Sequence, residues 1–218
     1  MLALTGSRVC YRTIGHGVFH CERCGGDRPY RHRSGRRWAH LLGIPFARIG
    51  DTGEHLTCTE CRTCYRIELL AVPTVEQMLV ALLASTKAAV LAMLRAGGAG
   101  SPAARCQGLE LIRRAGAADY HDGRLLAALA GPAVGRDLPG PRDDAVPSLR
   151  PAVEAVAIQL EPQAREWLLG QVVAVGLADG PLSDAERAVA RSIARYLGMT
   201  AARGRDVISL AEEAAQAG

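Results

Sequence analysis

Four cysteines, in two pairs, are the residues of this chain best suited to chemistry. Cys21 and Cys24 are separated by two residues, and so are Cys58 and Cys61. Thiolates at this spacing can grip one tetrahedral ion, and two such pairs complete an all-thiolate zinc shell. The 33 residues between the pairs have strand-like character and turn signals, which suits a zinc ribbon. The sequence therefore predicts one structural zinc ion held by four cysteines.

Two further cysteines and two histidines are alternative ligands. Cys64 could pair with Cys61, but the pairing of Cys58 with Cys61 gives both units a similar tail that ends on an aromatic residue. Cys10 is a second alternative, although a small residue within a strand is the favoured interpretation. His20 and His55 each lie shortly before a cysteine pair and could replace a thiol that is not used.

The remaining cysteine belongs to a helical pattern. Cys106 and Trp167 both fall at helical spacing among apolar residues, so both are predicted to be buried. Seven cysteines are an odd number, and the first residues show no charged region followed by an apolar run. Both points argue against a disulfide framework and favour a cytoplasmic protein.

Charge is unevenly distributed along the chain. Residues 1–66 hold 11 arginines against five acidic residues, a net charge of +6. Residues 67–218 hold 15 basic and 17 acidic residues, a net charge of −2. Aromatic residues are only 4% of the chain and alanine is abundant, which favours close-packed helices. The two parts are therefore expected to have separate roles.

The pattern of elements changes near residues 69–73. Before this point the sequence predicts short strands separated by turns, including a hairpin that turns at Ser34-Gly35. After it the pattern is helical. We therefore expect a four-cysteine zinc-ribbon domain over 1–70 and an all-helical domain over 74–218, a mainly α protein with a small β part.

Capping residues mark the helices. Thr74-x-x-Gln77 predicts a capping box that opens an apolar helix. Its most apolar window, 78–94, is shorter than the ~20 residues that a bilayer requires, so a buried core helix is expected. Proline and glycine over 131–147 predict a loop or linker. Further N-terminal caps are predicted at Ser101, Ser183 and Thr200.

An internal repeat lies within the helical part, at an offset of 82 residues. Over the 21 positions 96–116, seven residues are identical to those 82 positions later. The predicted helix starts and the glycine stops also coincide, so a duplication is expected. The identical residues are Ala96, Gly98, Ser101, Ala103, Arg105, Arg113 and Gly116.

Asp179 and Glu186 are the acidic candidates of the helical part. They frame a turn that runs into a helix N-terminus, where oxygen ligands could hold a hard cation such as Ca²⁺ or Mg²⁺. The competing interpretation is structural: Asp179 ends one helix, and Glu186 is the third residue of the Ser183 capping box.

The segment from Leu177 to Arg187, LADGPLSDAER, resembles the signature of TerB-like tellurite-resistance proteins. This resemblance covers roughly 74–218 and implies an all-helical domain of two similar halves. It also implies an Asp…Glu pair in each half that takes part in metal binding, and a role in tellurite resistance or a related stress response. The segment 17–30, GVFHCERCGGDRPY, is similar to proteins of GC-rich bacteria that join a zinc ribbon to such a domain.

The chain departs from the family pattern in its first half. The positions equivalent to Asp179 and Glu186 hold Gly97 and Ala104. Neither side chain can ligate a cation, so one half-site is missing. A bound Ca²⁺ or Mg²⁺ would therefore be held weakly, by Asp179 and Glu186 with help from Asp184, water or another chain.

A basic segment is the second binding candidate. Arginines with interleaved aromatic residues suit phosphate contact and base stacking. A solvated hairpin face, or a face that docks another protein, would show the same composition. The residues are Arg28, Arg31, Arg33, Arg36, Arg37 and Trp38.

These observations predict a non-enzymatic adaptor with structural zinc, whose partners are other proteins of a stress-response system. The sequence has no nucleophile elbow, phosphate-binding P-loop, dinucleotide glycine motif or His-Glu-x-x-His. The alternatives are a nucleic-acid-binding regulator that uses the basic segment and a hard-metal sensor centred on Asp179 and Glu186.

Overall fold

Four antiparallel strands, in the order β1-β2-β3-β4, form a sheet in the first part of the chain. The structure, a computed structural model, describes residues 5–41, 44–131 and 148–217. The chain divides into two compact units, Met1–Gln77 and Met78–Gly218. The strands are β1 (Thr5–Cys21), β2 (Gly26–Leu41), β3 (Ile44–Cys58) and β4 (Cys64–Tyr65), followed by a 3₁₀ helix, Ile67–Ala71.

The strands are much longer than the sequence predicts. β1 and β2 pair from Cys21 opposite Gly26 to Thr5 opposite Leu41, so the predicted hairpin at Ser34-Gly35 is wrong. Gly35 lies directly opposite Tyr11. A Cβ atom on Gly35 would lie 2.9 Å from a ring carbon of Tyr11. The glycine therefore allows an aromatic ring to approach the strand and does not form a turn.

The sheet buries its small core on one face. Strand side chains alternate between faces, so residues that are paired across strands share a side. Phe19, Cys21, Leu56 and Cys58 are buried together, with Tyr30 and Tyr65 packed against them. Phe19 meets the rings of Tyr30 and Tyr65 edge to face, with centroids 5.6 and 5.4 Å apart. This cluster supports the two cysteine pairs.

Seven helices follow the sheet in the described part of the chain. They are α1 (Val75–Met93), α2 (Pro102–Arg114), α3 (Asp122–Ala130), α4 (Leu149–Ala157), α5 (Pro162–Leu177), α6 (Asp184–Tyr196) and α7 (Ala201–Gln216), with a π-helical turn, Leu94–Gly98, after α1. The division between the two units falls just inside α1, a few residues beyond the predicted change at 69–73. The predicted loop at 131–147 lies, apart from Gly131, outside the described residues.

The predicted caps are confirmed. The Thr74 and Gln77 backbone N–H groups donate to the side chains of Gln77 and Thr74 respectively. Ser101, Ser183 and Thr200 each accept a hydrogen bond from the backbone N–H three residues later. These bonds satisfy amides that would otherwise lack a partner in the first turn of each helix.

Helix positions also repeat at the predicted offset. α2 and α6 each have 13 residues, and each begins and ends 82 positions from the other. Gly116 and Gly198, just beyond them, both have positive φ, 120° and 75°. Glycine at this position permits the left-handed backbone that often ends a helix. α2 and α6 thus occupy equivalent positions in the predicted repeat.

Apolar residues of these helices form a single core cluster. Leu168, Val172 and Val175 of α5 are buried, as the helical pattern predicts. Trp167 is 56% exposed and Cys106 is exposed, so both predictions of burial are wrong. Each residue lies beside the buried face of its helix. Successive residues of an α-helix are rotated by about 100°, so a small error in the predicted position of that face turns a buried residue into an exposed one.

One described helical segment, Ile67–Gly98, is long and apolar enough to cross a membrane by length and composition. In its most apolar window 44% of the residues are buried inside the protein. The buried part runs from Ser85 to Met93 within the core cluster. The segment thus meets a criterion that core helices of globular proteins also satisfy.

Candidate metal centre

The four predicted cysteines converge on one point. The Sγ atoms of Cys21, Cys24, Cys58 and Cys61 all lie within 4.8 Å of one another. Cys21 and Cys58 are fully buried, whereas Cys24 and Cys61 are partly exposed. In the part of the chain that the structure describes, this is the one group of three or more His, Cys, Asp or Glu side chains placed to share an ion.

Two similar backbone turns present these thiols. The amide of Cys24 donates to the carbonyl of Cys21, and the amide of Arg62 donates to the carbonyl of Cys58. The residue after each pair has positive φ: Gly25 at 66° and Arg62 at 59°. Arginine rarely adopts this conformation, so the second turn holds a local strain that the surrounding contacts must offset.

The thiols of this cluster differ in pKa because they differ in burial and in their hydrogen bonds. A hydrogen bond with the Thr63 hydroxyl, at 3.3 Å, lowers the pKa of Cys61 to about 6. Burial, together with hydrogen bonds with Cys61 and Cys21, raises the pKa of Cys24 to about 12. Burial also raises the pKa of Cys21, but its hydrogen bonds with Tyr65 and Cys24 outweigh burial and the net pKa is lowered. The thiols of Cys24 and Cys61 therefore differ in their tendency to ionise.

This donor set fits zinc. Four sulfur atoms around one zinc ion would complete its tetrahedral coordination and leave no position for water. This is the arrangement of structural zinc sites. Binding releases the thiol protons, so the affinity for zinc depends on pH. Tyr65 Oη lies 3.2 Å from the Cys21 Sγ atom and orients that ligand. No local pattern indicated that Tyr65, seven residues after Cys58, would contact Cys21.

The alternative ligands lie elsewhere. Cys64 and Cys10 are exposed and outside the cluster. His20 lies 3.4 Å from Asp27, and His55 packs edge-on against Tyr11 with ring centroids 5.0 Å apart. Pairing Cys58 with Cys61 is thus the arrangement that the fold supports.

Asp27 is a residue that sequence reasoning missed. Its carboxylate accepts hydrogen bonds from the backbone N–H groups of Val75 and Glu76 at 2.8 and 3.4 Å. Burial raises the pKa of Asp27, but these two bonds and a bond with His20 outweigh it, and the pKa is lowered overall. Because Asp27 is distant in sequence, a search for a local cap could not identify it.

The acidic candidates do not form the paired site that the resemblance implies. Glu186 is 4% exposed, and its Oε2 atom accepts hydrogen bonds from the Ser183 amide and hydroxyl at 2.8 and 2.7 Å. Its Oε1 atom is buried without a hydrogen-bond partner. Asp179 is exposed. The capping interpretation of Glu186 is therefore correct, and one oxygen of its carboxylate remains free.

Gly97 explains why a second carboxylate is missing here. A Cβ atom on Gly97 would lie 2.6 Å from the Glu186 carboxyl carbon. The Glu186 side chain thus occupies the space where a side chain from the first half would reach. Ala104 is also fully buried and offers no oxygen. With Asp179 and one oxygen of Glu186, the site falls well below the six to eight oxygen ligands typical of Ca²⁺.

The basic residues do not act as one surface. Arg28 Nη1 donates to the backbone carbonyl of Asp27, and Trp38 is partly buried. Arg31 and Arg33 line a cleft with Arg62, a residue that the sequence analysis did not select. Arg36 and Arg37 are exposed and do not line this cleft. The basic segment thus separates into Arg28, which bonds the backbone, two arginines that line a cleft, and two exposed arginines outside it.

Comparison with known families finds one similarity, in the later part of the helical unit. Residues 125–207 match the family model described as Tellurite resistance protein TerB. Comparison with curated proteins and with solved structures gave no significant match. The match begins within α3, ends within α7 and includes Asp179 and Glu186. Residues 125–207 are therefore similar to TerB proteins. Outside this match, the N-terminal β-sheet holds a four-cysteine cluster that is consistent with a zinc ribbon.

Proposed function

We propose that this protein is a non-enzymatic adaptor in tellurite resistance or a related metal or chemical stress response. The match of residues 125–207 to the TerB family carries the proposal. TerB is a family without known catalysis, which supports a binding role. The four-cysteine cluster supports a structural zinc ion that stabilises the N-terminal sheet.

We propose that a partner protein docks in the groove between α6 and α7. A groove of about 850 Å³ lies there, with Ala194, Met199 and Ile208 among its apolar lining. Arginines surround this lining: Arg187, Arg191, Arg195 and Arg205. Arg187 is paired with Glu212 at 2.8 Å, whereas Arg191 and Arg205 have no ion pair among the described residues. An amphipathic helix with acidic flanks would complement this groove.

A genetic experiment tests the proposal. Deletion of the gene in its own host should increase sensitivity to potassium tellurite, and the wild-type gene should restore growth. A gene encoding Arg191→Glu and Arg205→Glu should fail to restore it, because charge reversal repels an acidic partner. Arg114→Glu with Arg150→Glu is the matched control. Arg114 lies on α2 and Arg150 lies on α4, and both are outside the groove.

Two outcomes would count against this function. Unchanged growth of the deletion strain under tellurite, oxidant and metal stress would remove the stress role altogether. Restoration by the groove variant as complete as by the control would leave the role and reject the groove. Circular dichroism of both purified variants shows whether a loss reflects misfolding.

A further inference from the structure

The face of the sheet opposite its small core gathers positive charge. Arg31 and Arg33 are two residues apart on β2 and therefore point to the same side. On β3 their paired neighbours are Thr57 and His55. The residue between them, His32, points to the other side, where it contacts Glu54 at 2.9 Å. Strand alternation thus separates the arginines from the nearest acid.

A third arginine completes a cleft on this face. The strained turn after Cys61 places Arg62 beside the end of β3, and a cleft of about 560 Å³ lies between it and β2. The polar lining includes Arg31, Arg33, Arg62, His55 and Thr57, and no carboxylate of the described residues lines it. None of the three arginines has an ion pair among the described residues.

Three guanidinium groups without carboxylates repel one another, and an anion reduces that repulsion. Arginine matches phosphate well, because its planar fork can donate two parallel hydrogen bonds to one phosphate. The zinc-thiolate shell carries net negative charge, and Cys58 lies at the wall of the cleft. These arginines would then also offset the charge of a zinc-thiolate shell, so zinc content must be measured beside nucleic-acid binding.

An exposed aromatic ring lies at the same cleft. Tyr11 is 55% exposed, and its ring lies against the bare backbone of Gly35 and edge-on to His55. A ring held in this way loses little conformational entropy when a base stacks on it. Phosphate-binding arginines next to an exposed ring are the combination by which proteins bind single strands, since an unpaired base offers its π-face.

We propose that this cleft binds single-stranded nucleic acid, with Arg31, Arg33 and Arg62 contacting phosphates and Tyr11 stacking on a base. This inference does not depend on the proposed adaptor function. It differs from the sequence hypothesis of a continuous basic segment, because Arg62 and Tyr11 join the site and Arg28, Arg36, Arg37 and Trp38 leave it.

The test is fluorescence anisotropy of the full-length, zinc-loaded protein with a labelled oligothymidine, at several salt concentrations. The cleft variant combines Arg31→Ala, Arg33→Ala and Arg62→Asn, since asparagine tolerates positive φ. The control variant combines Arg12→Ala, Arg36→Ala and Arg37→Ala, which remove the same charge from the same sheet. We expect the cleft variant to weaken binding at least ~10-fold and to reduce the log–log salt slope by about two. The control should weaken binding by less than ~3-fold.

Tyr11→Leu separates stacking from charge. It should weaken binding by ~5-fold or more with little change in the salt slope, because the loss is not electrostatic. Unlabelled duplex of the same sequence should compete more weakly than the single strand. Inorganic phosphate should compete only at far higher concentration than the oligonucleotide.

Several results would overturn the proposal. Equal losses in the cleft and control variants would mean binding to general charge, and preference for duplex would exclude the stacking role. Effective competition by inorganic phosphate would define a small-anion site. If the cleft variant loses zinc and the wild type shows no oligonucleotide binding, the arginines serve only to balance the thiolates. Zinc content and circular dichroism identify any variant that misfolds. If the triple cleft variant misfolds, the single variants Arg31→Gln and Arg33→Gln replace it in the binding test.

Discussion

Gly97 leaves no room for a second metal-ligating side chain beside the Glu186 carboxylate. A Gly97 side chain would lie 2.6 Å from the Glu186 carboxyl carbon, and that carboxyl group is held by two hydrogen bonds to Ser183. Glu186 cannot move aside without breaking its capping box. We therefore expect Gly97→Ala to destabilise the protein by about 1–3 kcal/mol, as overpacking does. Urea unfolding followed by circular dichroism measures the change.

Gly170→Ala is the matched control for this prediction. Gly170 lies inside α5, and a Cβ atom there meets nothing within 4 Å. Alanine should stabilise that helix by about 0.4–1 kcal/mol, because it reduces the entropy of the unfolded chain. If Gly97→Ala also raised stability, the Glu186 carboxylate would not be fixed as the structure has it.

The free Oε1 atom of Glu186 leads to a second prediction at this scale. Because no group of three or more ligand side chains includes Glu186 among the described residues, millimolar Ca²⁺ or Mg²⁺ should leave the melting temperature of the wild type unchanged. Glu186→Ala should still destabilise the protein, since the capping box is lost. A calcium-dependent rise in melting temperature that disappears in Asp179→Ala would instead establish the sensor hypothesis.

At the scale of elements, the cysteine turns carry a prediction with an internal control. Cys61→Ser removes a thiol of the cluster, whereas Cys64→Ser changes an exposed thiol three residues away. We expect the first variant to lose bound zinc and the second to keep it, as measured by metal analysis of the purified proteins. Zinc loss in the Cys64 variant alone would restore the rival pairing.

Loss of zinc should also affect the two units differently. The sheet has a small core of its own, built around Phe19 and Leu56, whereas the helices share a large apolar cluster. In Cys61→Ser the sheet should unfold and the helices should persist, which hydrogen exchange can resolve unit by unit. Equal loss of protection in both units would show that they do not fold separately.

The ion pair between α5 and α7 predicts how stability depends on pH. Arg203 donates two hydrogen bonds of 2.7 Å to Glu166, and these lower the pKa of Glu166. A carboxyl group with a lowered folded pKa stabilises above its unfolded value, near 4.5, and loses this effect as the pH falls through the folded pKa. Glu166→Gln should therefore lower the melting temperature at neutral pH and match the wild type in strong acid. A difference that persists unchanged at low pH would contradict this ion pair.

Local signals in the sequence predicted the helical elements well. Caps such as Ser101 and Ser183 satisfy amides within one turn, so a short window contains their whole cause. The same window failed for Gly35 and Trp167. Gly35 lies within a strand because its neighbour on β1 is the aromatic ring of Tyr11. Trp167 is exposed because the buried face of α5 lies beside this residue and does not include it. Contacts between distant residues decided both cases.

At the scale of the whole molecule, the distinction between local signals and distant contacts also separates the metal centre from the arginine cleft. The cysteine spacing made the metal centre predictable, because each pair lies within one turn and the ion requires both pairs. The cleft could not be predicted, since it depends on the pairing of β2 with β3 and on a strained backbone at Arg62. Nothing in the charge pattern distinguished Arg31 and Arg33 from Arg36 and Arg37.

The apolar segment Ile67–Gly98 leads to a prediction about the whole protein. Its later half is buried in the helical core, so insertion into a bilayer would require the core to open. We therefore expect the protein to stay in the supernatant when a cell lysate is centrifuged without detergent. Leu79 and Val80 are more than half exposed, and Leu79→Glu with Val80→Glu should not change this distribution. A carbonate-resistant membrane fraction would show that the segment spans the bilayer. Release of a membrane fraction by the two glutamates would instead show that this face lies on the membrane surface.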